Sequence, residues 1–128
     1  MKAFVLLLML TVSASAMSRL DALWMIETGG NDQMIGKAGE ISRYQVRETV
    51  WRSVTRSRQY KSPETARLVA GKVMDKRIRA FDAAFRRAPT DFEYYALWNA
   101  PSQVMTGRIR PMVAERCQRF AQLCASSR

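Results

Sequence analysis

The chain has 128 residues, with 21 lysines and arginines against 11 aspartates and glutamates, a formal charge of +10 and no histidine. The missing histidine excludes Ser-His-Asp and Cys-His catalysis and any histidine-ligated metal site, and two cysteines are too few for a zinc site. The charge favours anionic partners, which are nucleic acid, anionic lipid or an acidic wall polymer.

Met1-Lys2, an apolar run from Ala3 to Leu10 and an Ala-x-Ala ending at Ala16 read as a secretory signal peptide over 1–16. The run is too short to span a bilayer. The rest, 17–128, is expected to be one secreted or periplasmic domain. An exported protein meets lipid and wall polymers more often than nucleic acid. The arginines are also scattered along every segment rather than gathered in one arm, so no nucleic-acid partner is expected.

Helical periodicity dominates the domain. Ser18, with Asp21 three residues on, resembles a capping box for a first helix running to about Thr28. The segment 29–42, "GGNDQMIGKAGEIS", holds four glycines plus Asn31 and Asp32 and reads as a turn-rich excursion or small hairpin. A second helix is predicted from about Tyr44, with Val46, Val50 and Val54 at every fourth residue and Trp51 in the core. Ser62-Pro63 supplies a cap and a first-turn proline for a third, longest helix to about Arg87, ended by Pro89. Thr90 and Glu93 form another capping box for a short helix through "FEYYALWN". "APSQVMTGR" reads as a loop or a short helical turn, and a last helix runs from near Pro111 to about Cys124, with a frayed "ASSR" end. The fold class is therefore mostly α, with about five helices and a glycine-rich loop or small hairpin after the first.

Cys117 and Cys124 lie on the stripe Val113, Cys117, Phe120, Cys124. Seven residues of unbroken helix rise roughly 10 Å, beyond the ~7 Å that bridged Cα atoms reach. A disulfide requires the helix to end before Cys124; otherwise the two are buried free thiols. The methionines, Met25 and Met112 among them, read as packing material.

Glu27 is the odd residue of the first helix. It stands four positions after Leu23 and three after Trp24, so it shares their apolar face. It also falls in the last helical turn. Partial burial and the negative end of the helix dipole both disfavour its charged form, and a carboxylic acid kept neutral in a cleft wall can act as a general acid. The plain alternative is a helix-end residue that bends out to solvent.

Three blocks in order resemble the lysozyme-like lytic transglycosylases and goose-type lysozymes. Where those show E-S-G-G-N-P, this chain has Glu27-Thr28-Gly29-Gly30-Asn31-Asp32. For G-A-x-G-L-M-Q-I it has Gly39-Glu40-Ile41-Ser42-Arg43-Tyr44-Gln45-Val46. For A-Y-N-A-G it has Ala96-Leu97-Trp98-Asn99-Ala100. The resemblance covers roughly 20–101. It implies a mostly α lysozyme-like domain whose glycine-rich segment borders a sugar-binding cleft, with the glycan strand of peptidoglycan as substrate. Glu27 aligns with the family's catalytic acid, and one carboxylate suffices without cofactor or metal. The resemblance also implies Gln45 and Asn99 as substrate-contact or support positions.

The departures are informative. The family tyrosine is Trp98 here, and an indole donates an N–H but offers no hydroxyl. Any hydroxyl role beside the glutamate then falls to Tyr94 or Tyr95. Ser42, Arg43 and Tyr44 replace a smaller, less polar stretch, which makes Ser42 and Tyr44 further candidates for contact with sugar. Tyr95 and Trp98 are candidates for stacking on sugar rings, or for core packing. Glu40 replaces a small residue. Facing Glu27 it would permit lysozyme-style hydrolysis; otherwise it is a loop charge paired with Lys37 or Arg43. The expected activity is a peptidoglycan lytic transglycosylase, monomeric and drawn by charge to the anionic wall. The alternatives are a hydrolytic lysozyme using Glu27 and Glu40, or a non-catalytic basic wall-binding protein.

Overall fold

A computed structural model describes residues 17–32 and 35–126, so the expected leader 1–16 lies outside the described residues. Among these the protein is mostly helical, with six helices and no strand. They are α1 (Arg19–Thr28), α2 (Glu48–Val54), α3 (Pro63–Phe85), α4 (Asp91–Asn99), α5 (Pro101–Thr106) and α6 (Pro111–Ser126). The helix beyond the expected five is α5, in the stretch read as a loop or short helical turn.

Local chemistry sets the helix ends. Ser18 accepts the Asp21 N–H at 3.1 Å, while the Asp21 carboxylate reaches across to Arg67 of α3 rather than back to the cap. This cap is therefore one-sided and not the box the sequence suggested. Gly29 stops α1 at φ 61, a conformation that glycine adopts without a Cβ penalty. Ser62 caps α3 through the Thr65 N–H, with Pro63 in the first turn. At α4 the box is complete: Thr90 accepts the Glu93 N–H, and the Glu93 carboxylate accepts the Thr90 N–H. Arg87 adds a two-pronged ion pair to that carboxylate, and the Glu93 pKa falls to about 2.

The second helix starts at Glu48, not near Tyr44. Ile41 and Val46 exchange both backbone hydrogen bonds at 2.8 Å and close 42–45 into a tight turn. Ser42 (φ 69) and Gln45 (φ 54) are left-handed there, which a growing helix cannot contain. Each such residue costs on the order of 1 kcal/mol.

The core gathers around α4, whose five consecutive residues Tyr94 to Trp98 are all buried. A helical turn that is buried all round belongs in the middle of a fold, and α4 packs on α6, α5 and α3. Leu23 of α1, Trp51 of α2, Phe81 of α3 and Phe120 of α6 complete the core. Full burial of each contributes roughly 1.5–3 kcal/mol. Phe120 stacks on Tyr94 at 5.6 Å and lies against Tyr95 at 5.4 Å, so α6 fixes the tyrosine pair.

Helix α6 continues unbroken through Cys124 to Ser126, and both cysteines are buried free thiols. The helical rise separating them rules out a disulfide. Ala125 and Ser126 are helical rather than frayed. α3 ends at Phe85 because Arg86 turns left-handed at φ 58. Met25 and Met112 are exposed, so the packing role expected of them does not apply.

Candidate active site

Glu27 occupies the last turn of α1, and its side chain is only 9 % exposed. It does not bend out to solvent. Its carboxyl lies in the wall of a cleft of about 720 Å³ that also takes in Glu40, Gln45, Trp98, Asn99 and Arg116. The Tyr95 hydroxyl of α4 donates to Glu27 Oε1 at 2.7 Å. Arg116 Nη2 of α6 stands 3.6 Å from Oε2. Helices α1, α4 and α6 therefore converge on one carboxyl.

The electrostatics of that carboxyl are a balance. Burial raises its pKa above the ordinary 4.5 and outweighs the opposing effects of the Tyr95 hydrogen bond and the Arg116 charge; the Glu40 charge adds to the rise. Tyr95 is pushed far above the ordinary phenol range by burial and by the Glu27 charge, so it stays a hydrogen-bond donor throughout the accessible pH range.

The opposite wall comes from the glycine-rich segment. Backbone bonds from Gly36 N–H to Glu40 O (2.9 Å) and from Gly39 N–H to Gly36 O (3.0 Å) close one tight turn. The Ile41–Val46 pairing closes the next, braced by Gln45 Nε2–H donating to Ser42 O at 3.0 Å. The Glu40 carboxylate and the Gln45 amide fold over Gly36, where a Cβ would collide with both. Glu40 accepts the Ala38 N–H at 3.0 Å. Arg43, one of its two expected partners, instead binds both oxygens of Asp32, at 2.6 and 2.9 Å, and lies 3.9 Å over the Trp24 ring. That clamp ties the second turn to α1 and the segment that leaves it.

Of the predicted contact residues, Gln45, Trp98 and Asn99 line the cleft with Glu27 and Glu40, and Ser42, Tyr44 and Tyr95 do not. Tyr44 is fully buried and meets Trp98 edge-on at 6.5 Å, while Ser42 is 3 % exposed inside the turn. Tyr95 is also fully buried, so it has no ring face to offer a sugar; its hydroxyl stands beside the glutamate, the position expected of Tyr94 or Tyr95.

Two arginines escaped the sequence reading. Arg77 of α3 donates to the carbonyls of Leu97 and Trp98, both at 2.8 Å, capping α4 from outside just where Trp98 and Asn99 enter the cleft. Arg116 looked like one more surface charge on an amphipathic helix. Its offset of one position from Cys117 on the buried stripe was the available signal. Among the described residues no cluster of three or more metal-ligating side chains occurs, and no helix is long and apolar enough to cross a membrane. Comparison of the chain with protein-family models, with curated proteins and with solved structures finds no match.

Proposed function

We propose that this protein cleaves the glycan strands of peptidoglycan by general acid/base catalysis through Glu27, as a lytic transglycosylase of lysozyme-like fold acting in the periplasm or outside the cell. One observation carries the proposal: a desolvated carboxyl, held by a tyrosine hydroxyl, in the wall of an open, polar-lined cleft. The motif order supports it, as does the left-handed backbone at Ser42, where the family motif has glycine.

In this reading Glu27 gives its proton to the glycosidic oxygen as the bond to C1 breaks. The substrate's acetamido oxygen closes on C1 and holds the positive charge. Glu27, now a carboxylate, takes the proton from the muramoyl 6-hydroxyl. That oxygen displaces the acetamido group, leaving a 1,6-anhydro end and Glu27 protonated again. Tyr95 stabilises the carboxylate between the two transfers. A raised pKa suits the first step and the hydrogen bond suits the second.

A second reading has its own observation. Glu40 lines the same cleft and is close enough for its charge to be felt at Glu27. If it activates water, the enzyme is a hydrolase. Mass analysis of muropeptides released by the wild type separates the two, with anhydro-muramoyl ends for the transglycosylase and reducing ends for the hydrolase. Glu27→Gln keeps shape and removes the titrating proton, so it should lower either cleavage about 10³-fold. A folded variant of undiminished activity would overturn both readings, and a wild type that binds the wall without cleaving it would leave a basic wall-binding protein.

A further inference from the structure

The cleft carries more positive charge than its chemistry needs. Against Glu27 and Glu40 it sets Lys37, Arg47, Arg77 and Arg116. Arg77 is committed to the α4 carbonyls, and Arg116 is placed differently. Its guanidinium lies 3.6 Å from Glu27 Oε2, too long for a hydrogen bond, and 5.9 Å from the Tyr95 ring centre. Its side chain is 40 % exposed. A guanidinium has five N–H donors in a rigid fork matched to a carboxylate. Here that fork borders the proton donor and, among the described residues, makes no hydrogen bond, which leaves its donors to the open side of the cleft.

We propose that Arg116 is a specificity-determining residue that receives a carboxylate of the glycan strand beside the bond Glu27 protonates. The proposal deepens the peptidoglycan reading and rests on it. Two carboxylates offer this chemistry, the lactyl group of a muramoyl residue without a stem peptide and an acidic group of the stem peptide. A neutral strand of the same sugars lacks both. When the substrate carboxylate takes the fork, the positive charge beside Glu27 is neutralised. Glu27 then gains a proton more readily, so binding primes the acid.

The charged and titratable groups facing Glu27 are Tyr95 from α4, Arg116 from α6 and Glu40 from the turns, with Lys37, Arg47 and Arg77 elsewhere on the cleft lining. Removing Arg116 removes an effect that lowers the Glu27 pKa. The alkaline limb of kcat/KM, which reports loss of the acid's proton, therefore moves to higher pH.

The test uses three tetrasaccharides of identical sugars: free lactyl carboxylate, lactyl methylamide, and stem-peptide conjugate. Binding is measured by calorimetry in two buffers of different ionisation enthalpy, and turnover as kcat/KM. The wild type should favour one or both acidic strands over the methylamide by about fivefold, the contribution of one partly exposed ion pair. It should also take up protons as it binds them. The two acidic arms tell which carboxylate is read. Arg116→Met should bring the ratio to about one and shift the alkaline limb upward, with thermal stability retained; Arg116→Lys, charge without a fork, should keep part of the ratio. An unchanged ratio and limb in Arg116→Met, or no preference in the wild type, overturns the proposal. If no strand is cleaved, the glycosidase reading fails, and the binding ratio decides the Arg116 proposal by itself.

Discussion

On one side of the cleft Glu27, Tyr95 and Arg116 come from three packed helices. On the other, Glu40 and Gln45 come from two tight turns held by backbone pairing and by the Arg43–Asp32 clamp. The helical wall buries its carboxyl and fixes the hydroxyl against it through the Tyr95–Phe120 contact. The turn wall presents a carboxylate and an amide folded over a bare glycine. A proton donor needs a constant environment, because its pKa follows desolvation and neighbours, and helix packing supplies that. A wall that meets a substrate needs room, which Gly36 and the turns supply. The two sides are expected to respond to substitution in different ways.

The largest effect should come from loosening the helical wall at its support. Arg77→Met keeps the aliphatic stem and removes both hydrogen bonds at the end of α4. A loss of about 2 kcal/mol is expected in urea denaturation, with weaker cleavage as Trp98 and Asn99 lose their anchor. Next is Tyr95→Phe, which keeps the buried ring and deletes the hydroxyl. Cleavage should fall about tenfold. Because that hydrogen bond lowers the Glu27 pKa, the alkaline limb of kcat/KM should move upward. A fall with no movement of the limb would mean that the hydroxyl acts on something other than Glu27.

Gly36→Ala probes the other wall. Its Cβ displaces Glu40 and Gln45 at a cost of about 1 kcal/mol, expected as a roughly fivefold rise in KM, with kcat and the anhydro product unchanged. A collapse of kcat would move Glu40 from bystander to reactant and favour the hydrolase. The smallest effect lies far from both walls. The Glu93 pKa is depressed to about 2, so the stability it contributes is full above about 4.5 and is lost as pH falls through about 2. Thermal unfolding of Glu93→Gln should show a flatter acid limb than the wild type, with cleavage at neutral pH untouched.

Much of this was legible in the chain. Ser18, Ser62-Pro63 and Thr90–Glu93 marked three helix starts because capping is a local, short-range bond. The spacing of Glu27 to Leu23 and Trp24 put it on their face but left open whether it bent out to solvent, which packing against α4 and α6 decided. The start of α2 was misread because Val46, Val50 and Val54 fit a helical period, while the pairing of Ile41 with Val46 depends on left-handed residues that are not glycine. Serine and glutamine rarely adopt that conformation, and the glycine opposite Ser42 in the resembled motif was the one pointer to it. Tyr95 was open between core, sugar contact and the hydroxyl role until tertiary packing set α4 against α1. Arg77 and Arg116 act across helices, and periodicity within one helix carries no information about such contacts.

The most direct measurement is a titration of the Glu27 carboxyl itself, followed by its side-chain ¹³C resonance with Glu27→Gln as the assignment control. A midpoint above 4.5, moving higher still in Tyr95→Phe, is the predicted result. A midpoint at or below 4.5 would mean that the group is an ordinary charged carboxylate near neutral pH, and the proton-transfer account would fail with it.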